Sequence, residues 1–325
     1  SEMKLFKLVS VKIALVLLAS LLVFGCASLP EVEDTTLTIV HTNDTHGRVL
    51  EGKYDGMGFA KIAVKVANLR AANPNLLLLD AGDTFHGTTL ASLSRGESIT
   101  KVMNYIGYDA QTAGNHDFNY GYERLIELDG LTNHSVLTSN VVDASGESIL
   151  PPYVIKNVNG LLVGIFGITT PETTYKTHPK NVEGLTFKEP VEVAAEMVAE
   201  LESKVHVIIA LVHLGVDEDE TKEEWRGTYI AEHVPGIDLV VDGHSHTALE
   251  EGIRIGNTLV VQSGSHDKNL GIVTLNYSEG MVTTKAELFT KDEAANFAQN
   301  IGLLSLIDEI DKENKKITEV IVGNS

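Results

Sequence analysis

The sequence predicts a mixed α/β fold in four layers, α-β-β-α: two mixed sheets packed together and flanked by helices. Three observations lead to it. From residue 37 onward, short runs of Leu, Ile and Val alternate with helical patterns, as parallel strands and crossover helices do. Hairpin signals cluster late in the chain, so antiparallel strands complete the sheets. Several apolar runs stop in a turn carrying Asp, Asn or His, at the strand end where α/β proteins place their ligands.

In order, Leu37-Thr38-Ile39-Val40-His41 alternates and is β-branched, a first strand running into Thr42-Asn43-Asp44-Thr45-His46-Gly47. Residues 58–72 form an amphipathic helix with Ile62, Val66 and Leu69 inward and Lys61, Lys65 and Arg70 outward. Leu76-Leu77-Leu78-Leu79 is a strand buried on both faces, ending in Asp80-Ala81-Gly82-Asp83-Thr84-Phe85-His86. A helix over 98–106 leads to a short strand at 110–113 that stops in Gly114-Asn115-His116-Asp117-Phe118-Asn119. A helix over 120–131 and a strand at 136–138 precede two strands, 153–158 and 161–168, joined by an Asn159-Gly160 hairpin turn. Pro190 opens a helix to about residue 204, with Val191, Ala194, Ala195, Val198 and Leu201 inward. Residues 205–212 are a buried strand ending at His213, and 218–232 read as one charged helix with Trp225 inward. A last buried strand over 237–242 ends in Gly243-His244-Ser245-His246. A hairpin at Gly256-Asn257 follows, then strands at 259–262, 271–277 and 282–288 and a polar helix over 292–316.

Composition narrows the function. The 325 residues are 43% hydrophobic, enough for one large domain or two small ones, and carry 45 acidic against 25 basic side chains, a net charge of −20. That balance excludes a nucleic-acid polymer as partner, because phosphate backbones are bound by Lys and Arg. A small anionic substrate remains compatible, provided bound cations neutralise it. Lys4, Lys7 and Lys12 precede an apolar run from Ile13 to Phe24, then Gly25 and the sole cysteine, Cys26. Residues 1–26 therefore read as a signal peptide resembling that of a bacterial lipoprotein, with Cys26 lipidated. An uncleaved anchor helix is the alternative, although the run falls short of the ~20 residues that span a bilayer. Either way the expectation is an exported protein held on a membrane, facing the periplasm or the exterior. Residues 27–36, acidic and containing Pro30, read as a linker.

Five buried strands end in turns able to hold metal: Asp44 and His46, Asp83, Asn115 and His116, His213, and His244 and His246. Parallel strands bring such ends to one edge, so residues far apart in sequence can meet. Mixed imidazole and carboxylate donors suit Zn, Mn, Fe or Co and suit Ca poorly. A carboxylate has two oxygens, so Asp83 could join two ions.

These turns closely resemble the calcineurin-like metallophosphoesterases, specifically the catalytic domain of the bacterial 5′-nucleotidase and UDP-sugar hydrolase family. The matching blocks run from Thr38 through Gly47, then Asp80 to Phe85, Gly114 to Phe118, His213-Leu214-Gly215 and Gly243 to His246. The resemblance implies a catalytic domain over 37–290 and two divalent ions, one on Asp44, His46, Asp83 and His246, the other on Asp83, Asn115, His213 and His244. Some family members carry glutamine where this chain has His246. Ions so placed would lower the pKa of water and clamp a phosphoryl group for in-line attack. His116 resembles the family's catalytic histidine; the aspartate that often partners it is here Asn119, which can orient the ring without acting as a charge partner. His41, Asp80 and His86 are candidates to support the ligands from behind.

The implied activity is hydrolysis of nucleoside 5′-monophosphates. A 2′,3′-cyclic-nucleotide phosphodiesterase or UDP-sugar hydrolase is the alternative among enzymes, and a metal- or nucleotide-binding lipoprotein with little turnover is the alternative outside them. Longer family members continue into a substrate-binding carboxy-terminal domain, and residues 291–325 read as a linker helix toward one.

Overall fold

The computed structural model describes residues 29–218 and 221–323, with side chains described as far as residue 316. The signal segment and Cys26 lie outside the described residues.

In the first sheet, β1 (Thr35–Thr42), β2 (Leu76–Asp80), β3 (Ala110–Thr112) and β4 (Ser135–Leu137) run parallel. Beyond β1 the sheet continues into the antiparallel hairpin β13 (Asn269–Ser278) and β14 (Met281–Thr290). The second sheet has a parallel centre of β7 (Leu161–Thr169), β9 (Val207–His213), β10 (Leu239–Val241) and β12 (Thr258–Val261). Its antiparallel edges are β6 (Tyr153–Val158) and β11 (Ile253–Ile255). Two six-stranded mixed sheets thus lie face to face with helices outside, as the alternating pattern predicts, and β5 (Val141–Val142) pairs antiparallel with β8 (Thr186–Phe187) in a separate two-stranded ribbon.

The leucine run shows why four apolar residues in a row are needed. Successive side chains on a strand point to opposite faces. Leu77 and Leu79 enter the layer between the sheets with Ile39, Ile165, Ile209 and Val241, while Leu76 and Leu78 enter the outer layer with Ile62, Val66 and Met103. Removing each from water is worth ~2 kcal/mol. A third apolar layer, built on Ile208, Val212 and Val240, is covered by Ala194, Val198, Leu201 and Ile230.

The helices correct several expectations. Lys61, on α1 (Phe59–Ala72), is buried rather than outward: its Nζ donates to Glu51 Oε1 at 2.9 Å and to the Ala295 carbonyl at 3.3 Å. A short helix, α2 (Thr89–Leu93), precedes α3 (Glu97–Ile106), and α4 covers Tyr122–Asp129. On α6 (Pro190–Leu201), Val193 is buried and Ala195 exposed. The charged stretch is not one helix. A 3-10 turn at Glu223–Trp225 and a helix, α7 (Gly227–His233), are separated by extended Arg226. Gly227 opens α7 and presses on Asp242, where a Cβ would come within 2.3 Å of the carboxylate. Trp225 lies under Lys222 and donates Nε1–H to Glu189 at 2.8 Å instead of turning inward.

The last helix, α8 (Ile301–Gly323), begins nine residues later than expected. It lies against α1, α2 and α3 and buries Leu303, Ile307 and Ile310. Among the described residues, no helix is long and apolar enough to cross a membrane.

Candidate metal centre

The strand-end turns are strained and stitched together. Asp44 (φ 50°), His46 (50°), Asp83 (58°), His244 (74°) and His246 (55°) all occupy the left-handed region. Non-glycine residues there cost of order 1–3 kcal/mol each and persist only where surrounding bonds hold them. Those bonds are present. Asp44 N donates to the Gly82 carbonyl and His46 N to that of Asp83, both at 2.9 Å, tying the ends of β1 and β2. Asp44 Oδ2 accepts His244 N at 2.9 Å, tying the two sheets. Asn43 supports the same turn, donating to Asp44 Oδ2 at 2.7 Å and accepting Ser263 N at 2.8 Å. Gly114 and Gly243 permit the close approach: a Cβ would come within 2.2 Å of Asp83 Oδ1 at the first, and within 2.8 Å of the Ala81 carbonyl at the second.

Within this frame two donor groups form, each with its ligand atoms within 4.8 Å of one another: Asp44, His46 and His246, and Asp44, Asp83 and His213. Asp44 Oδ1 lies 3.2 Å from His246 Nε2 and 3.9 Å from both His46 Nε2 and His213 Nε2. Asp83 Oδ2 lies 3.2 Å from His213 Nε2, and its Oδ1 accepts His116 N at 2.7 Å. Asp44 therefore enters both groups and Asp83 one, whereas the family resemblance makes Asp83 the shared ligand.

The donor set fits divalent cations. His213 Nδ1 lies 2.6 Å from the Ala81 carbonyl, an acceptor only, so Nδ1 donates there and Nε2 is the nitrogen turned toward Asp44 and Asp83. Asp44 Oδ1, Asn115 Oδ1 and His213 Nε2 are buried without hydrogen-bond partners. Buried polar atoms are normally paired, and electron-rich atoms converging on one space are relieved by a cation. Burial works against a charge on His213, but Asp83 and Asp44 outweigh it and push its pKa up to about 10. Burial also opposes ionisation of Asp83, yet His213, His116 and His46 hold its carboxyl well below the usual range. Burial lowers His46 to about 4, leaving a neutral imidazole with a lone pair to offer.

The remaining candidates are distributed around these groups. His244 Nε2 pairs with buried Glu172 at 2.7 Å, and Lys176 Nζ bonds the same carboxylate at 2.9 Å. Both residues flank or belong to a one-turn helix, α5 (Thr173–Lys176), that the sequence reading missed. Burial raises Glu172, but hydrogen bonds from His244 and Lys176 bring it down to about 2. His116 is half-buried, its ring 5.4 Å from that of His46, and its Nδ1 lies 2.9 Å from Asn119 Nδ2. His86 stacks parallel on His116 with centroids 5.9 Å apart. Asp80 holds the Asp83 turn from behind, accepting Gly82 N at 2.9 Å and the Thr42 and Thr84 hydroxyls at 2.6 Å; burial raises its pKa to about 7. His41 packs on Gly271 of the neighbouring β13, where burial lowers its pKa to about 3. Asp117 aims away from His116 and accepts four backbone N–H groups from the β2 and β3 turns. Asp242 does the same between β9 and β10, accepting from Leu214, Gly215 and Gly243.

With this geometry in view, comparison with known proteins is decisive for the family. The model of the calcineurin-like phosphoesterase family matches residues 37–248. The chain belongs to that family. Curated relatives of this chain include the 5′-nucleotidase of Bos taurus, 35% identical over 250 residues that cover 71% of this chain and 42% of that protein. The 5′-nucleotidase of Vibrio cholerae is 34% identical over 237 residues, 68% of this chain and 43% of the other. Among solved structures, the calcineurin-like phosphoesterase YfkN from Bacillus subtilis matches with a TM-score of 0.75 at 25% identity, covering 88% of this chain and 99% of that one. The 5′-nucleotidase precursor from Thermus thermophilus matches with a TM-score of 0.73 at 29% identity, covering 86% and 59%. The chain spans about two fifths of the length of these two curated relatives.

Proposed function

We propose that this chain is the catalytic part of a dinuclear metal-dependent phosphoester hydrolase acting on nucleoside 5′-monophosphates. One observation carries the reading: Asp44 Oδ1, Asn115 Oδ1 and His213 Nε2 are buried and unpaired, and Asp44 itself sits in a left-handed turn. The 5′-nucleotidase names of the Bos taurus and Vibrio cholerae relatives support the choice of substrate. The residues that would hold the ions are Asp44, His46, Asp83, Asn115, His213, His244 and His246. Two divalent ions held there, Zn, Mn, Co or Fe by the donor chemistry, would supply Lewis acidity for activating water near neutral pH and positive charge for neutralising a phosphoryl group.

The protein's own contribution is order. The left-handed turns fix the carboxylates and imidazoles before any ligand arrives, so little reorganisation accompanies binding. Glu172 holds the His244 ring through Nε2, leaving Nδ1 as the donor nitrogen of that ring. Asn115 supplies a neutral oxygen and keeps the site's charge favourable to a phosphate. His116 stands beside this donor set, its ring 5.4 Å from that of His46 and steeply inclined to it.

The test is phosphate release from AMP and p-nitrophenyl phosphate by protein loaded with Mn or Co. Turnover that EDTA abolishes and metal restores is expected. Fully loaded protein that turned over neither ester would sink the reading, and a faster rate on bis-p-nitrophenyl phosphate than on AMP would move it to a phosphodiesterase.

A further inference from the structure

The hydrogen bonds behind His116 form a relay whose direction is set by a backbone carbonyl. We infer that Asn181, Thr177 and Asn119 lock His116 as the neutral tautomer protonated on Nε2, so that this ring acts as a hydrogen-bond donor and the three residues act as its positioning residues. The inference deepens the hydrolase reading and rests on it only for the role of the ring, not for the tautomer.

Each link has one workable polarity. The Asn119 backbone carbonyl can only accept, so the side-chain atom of Asn181 lying 3.1 Å from it is the amide nitrogen. That nitrogen has two hydrogens, and the second is directed to Thr177 Oγ1, also at 3.1 Å. Thr177 is buried, and its hydroxyl, having accepted from Asn181, directs its own proton to Asn119 Oδ1 at 2.9 Å. With Oδ1 engaged there, Asn119 turns Nδ2 toward His116 Nδ1 at 2.9 Å. A donor facing Nδ1 requires a lone pair on Nδ1, which puts the ring proton on Nε2. The opposite orientation of Asn119 would aim two amide groups at Thr177 Oγ1 and leave the hydroxyl proton without its acceptor.

An aspartate at position 119 would invert the last link. A carboxylate only accepts, so it would draw the ring proton to Nδ1 and favour the doubly protonated, charged imidazolium. Asn119 excludes that state while it donates. His116 therefore presents Nε2–H as the donor of its ring.

The decisive measurement is long-range ¹H–¹⁵N correlation NMR on the full chain labelled at histidine and loaded with zinc, the His116 signals being those missing in His116→Gln. The expected pattern is a protonated Nε2 and a bare Nδ1; a protonated Nδ1 overturns the proposal. Thr177→Val should give a mixture of tautomers and lower kcat by about 3- to 10-fold, the worth of one hydrogen bond, with KM and bound zinc unchanged. Thr177→Ser should restore both. An unaltered tautomer and kcat in Thr177→Val would overturn the relay. Should Thr177→Val not fold, Asn119→Asp gives an independent answer: it should move the proton to Nδ1, and a pattern left on Nε2 counts against the relay. A protein that shows the Nε2–H pattern yet hydrolyses no phosphoester leaves the relay standing and removes the hydrolase reading, so the two failures are distinguishable.

Discussion

Asp117 touches none of the candidate ligand atoms, yet the site depends on it. Its Oδ2 accepts Asp83 N at 2.9 Å and Gly114 N at 2.8 Å, and its Oδ1 accepts Thr84 N and Phe85 N at 2.9 Å. Asp117→Asn replaces one oxygen by an amide that faces two N–H donors. Unpaired buried donors cost ~1–3 kcal/mol each, so this substitution is expected to destabilise the metal-free protein by about 2–4 kcal/mol and to weaken metal binding through the loosened turns. Denaturant melts in EDTA and metal analysis check it; an unchanged midpoint would show that the turns hold without the carboxylate. At this scale the sequence is a partial guide. Asp44, His46, Asp83, Asn115 and His213 are visible because each follows an apolar run. Glu172 and Thr177 follow no such signal, since they reach His244 and Asn119 only when the segment after β7 folds back over the strand ends. Asp117 is in plain view, but its role needs the 3-10 turn at His116–Phe118, which points it inward.

Among elements, the strands were the most legible, because an all-apolar run has nowhere to go except between two covered faces. The helices were less so: charge alone does not mark a surface, as buried Lys61 shows, and the charged stretch breaks at extended Arg226, which its periodicity does not mark. The final helix is the clearest case for experiment. A linker helix would be indifferent to its apolar residues, whereas α8 buries Leu303, Ile307 and Ile310 against the outer apolar layer and donates from Asn314 to the Leu90 carbonyl at 3.1 Å. Ile307→Ala is therefore expected to cost about 2–4 kcal/mol in urea denaturation. A cost within ~0.5 kcal/mol, the range of exposed sites, would detach α8 from the core.

Across the molecule, buried or partly buried aspartates serve both ends of the strands. At the ends where the chain turns into the site they converge on the candidate ions. Elsewhere single aspartates cap neighbouring strands: Asp109 accepts Leu78 N at 2.8 Å, Asp129 accepts Val136 N at 2.7 Å and Asp238 accepts Ile208 N at 2.8 Å. Burial raises the pKa of all three, Asp238 to about 6 from 3.8. The sign follows from linkage. The folded state binds the Asp238 proton more tightly than the unfolded state, so this group's stabilising contribution is full below about pH 4 and is lost as pH rises through about 6. Asp238→Asn stays neutral throughout and can still accept Ile208 N through Oδ1. Relative to the parent, its stability should be similar near pH 4 and higher by about 1–3 kcal/mol above pH 6, allowing for partial exposure of the group. Paired urea melts in EDTA across that range measure the difference with the metal centre held constant. A gap between variant and parent that narrows as pH rises would mean that the Ile208 hydrogen bond and nearby charges, rather than burial, govern Asp238.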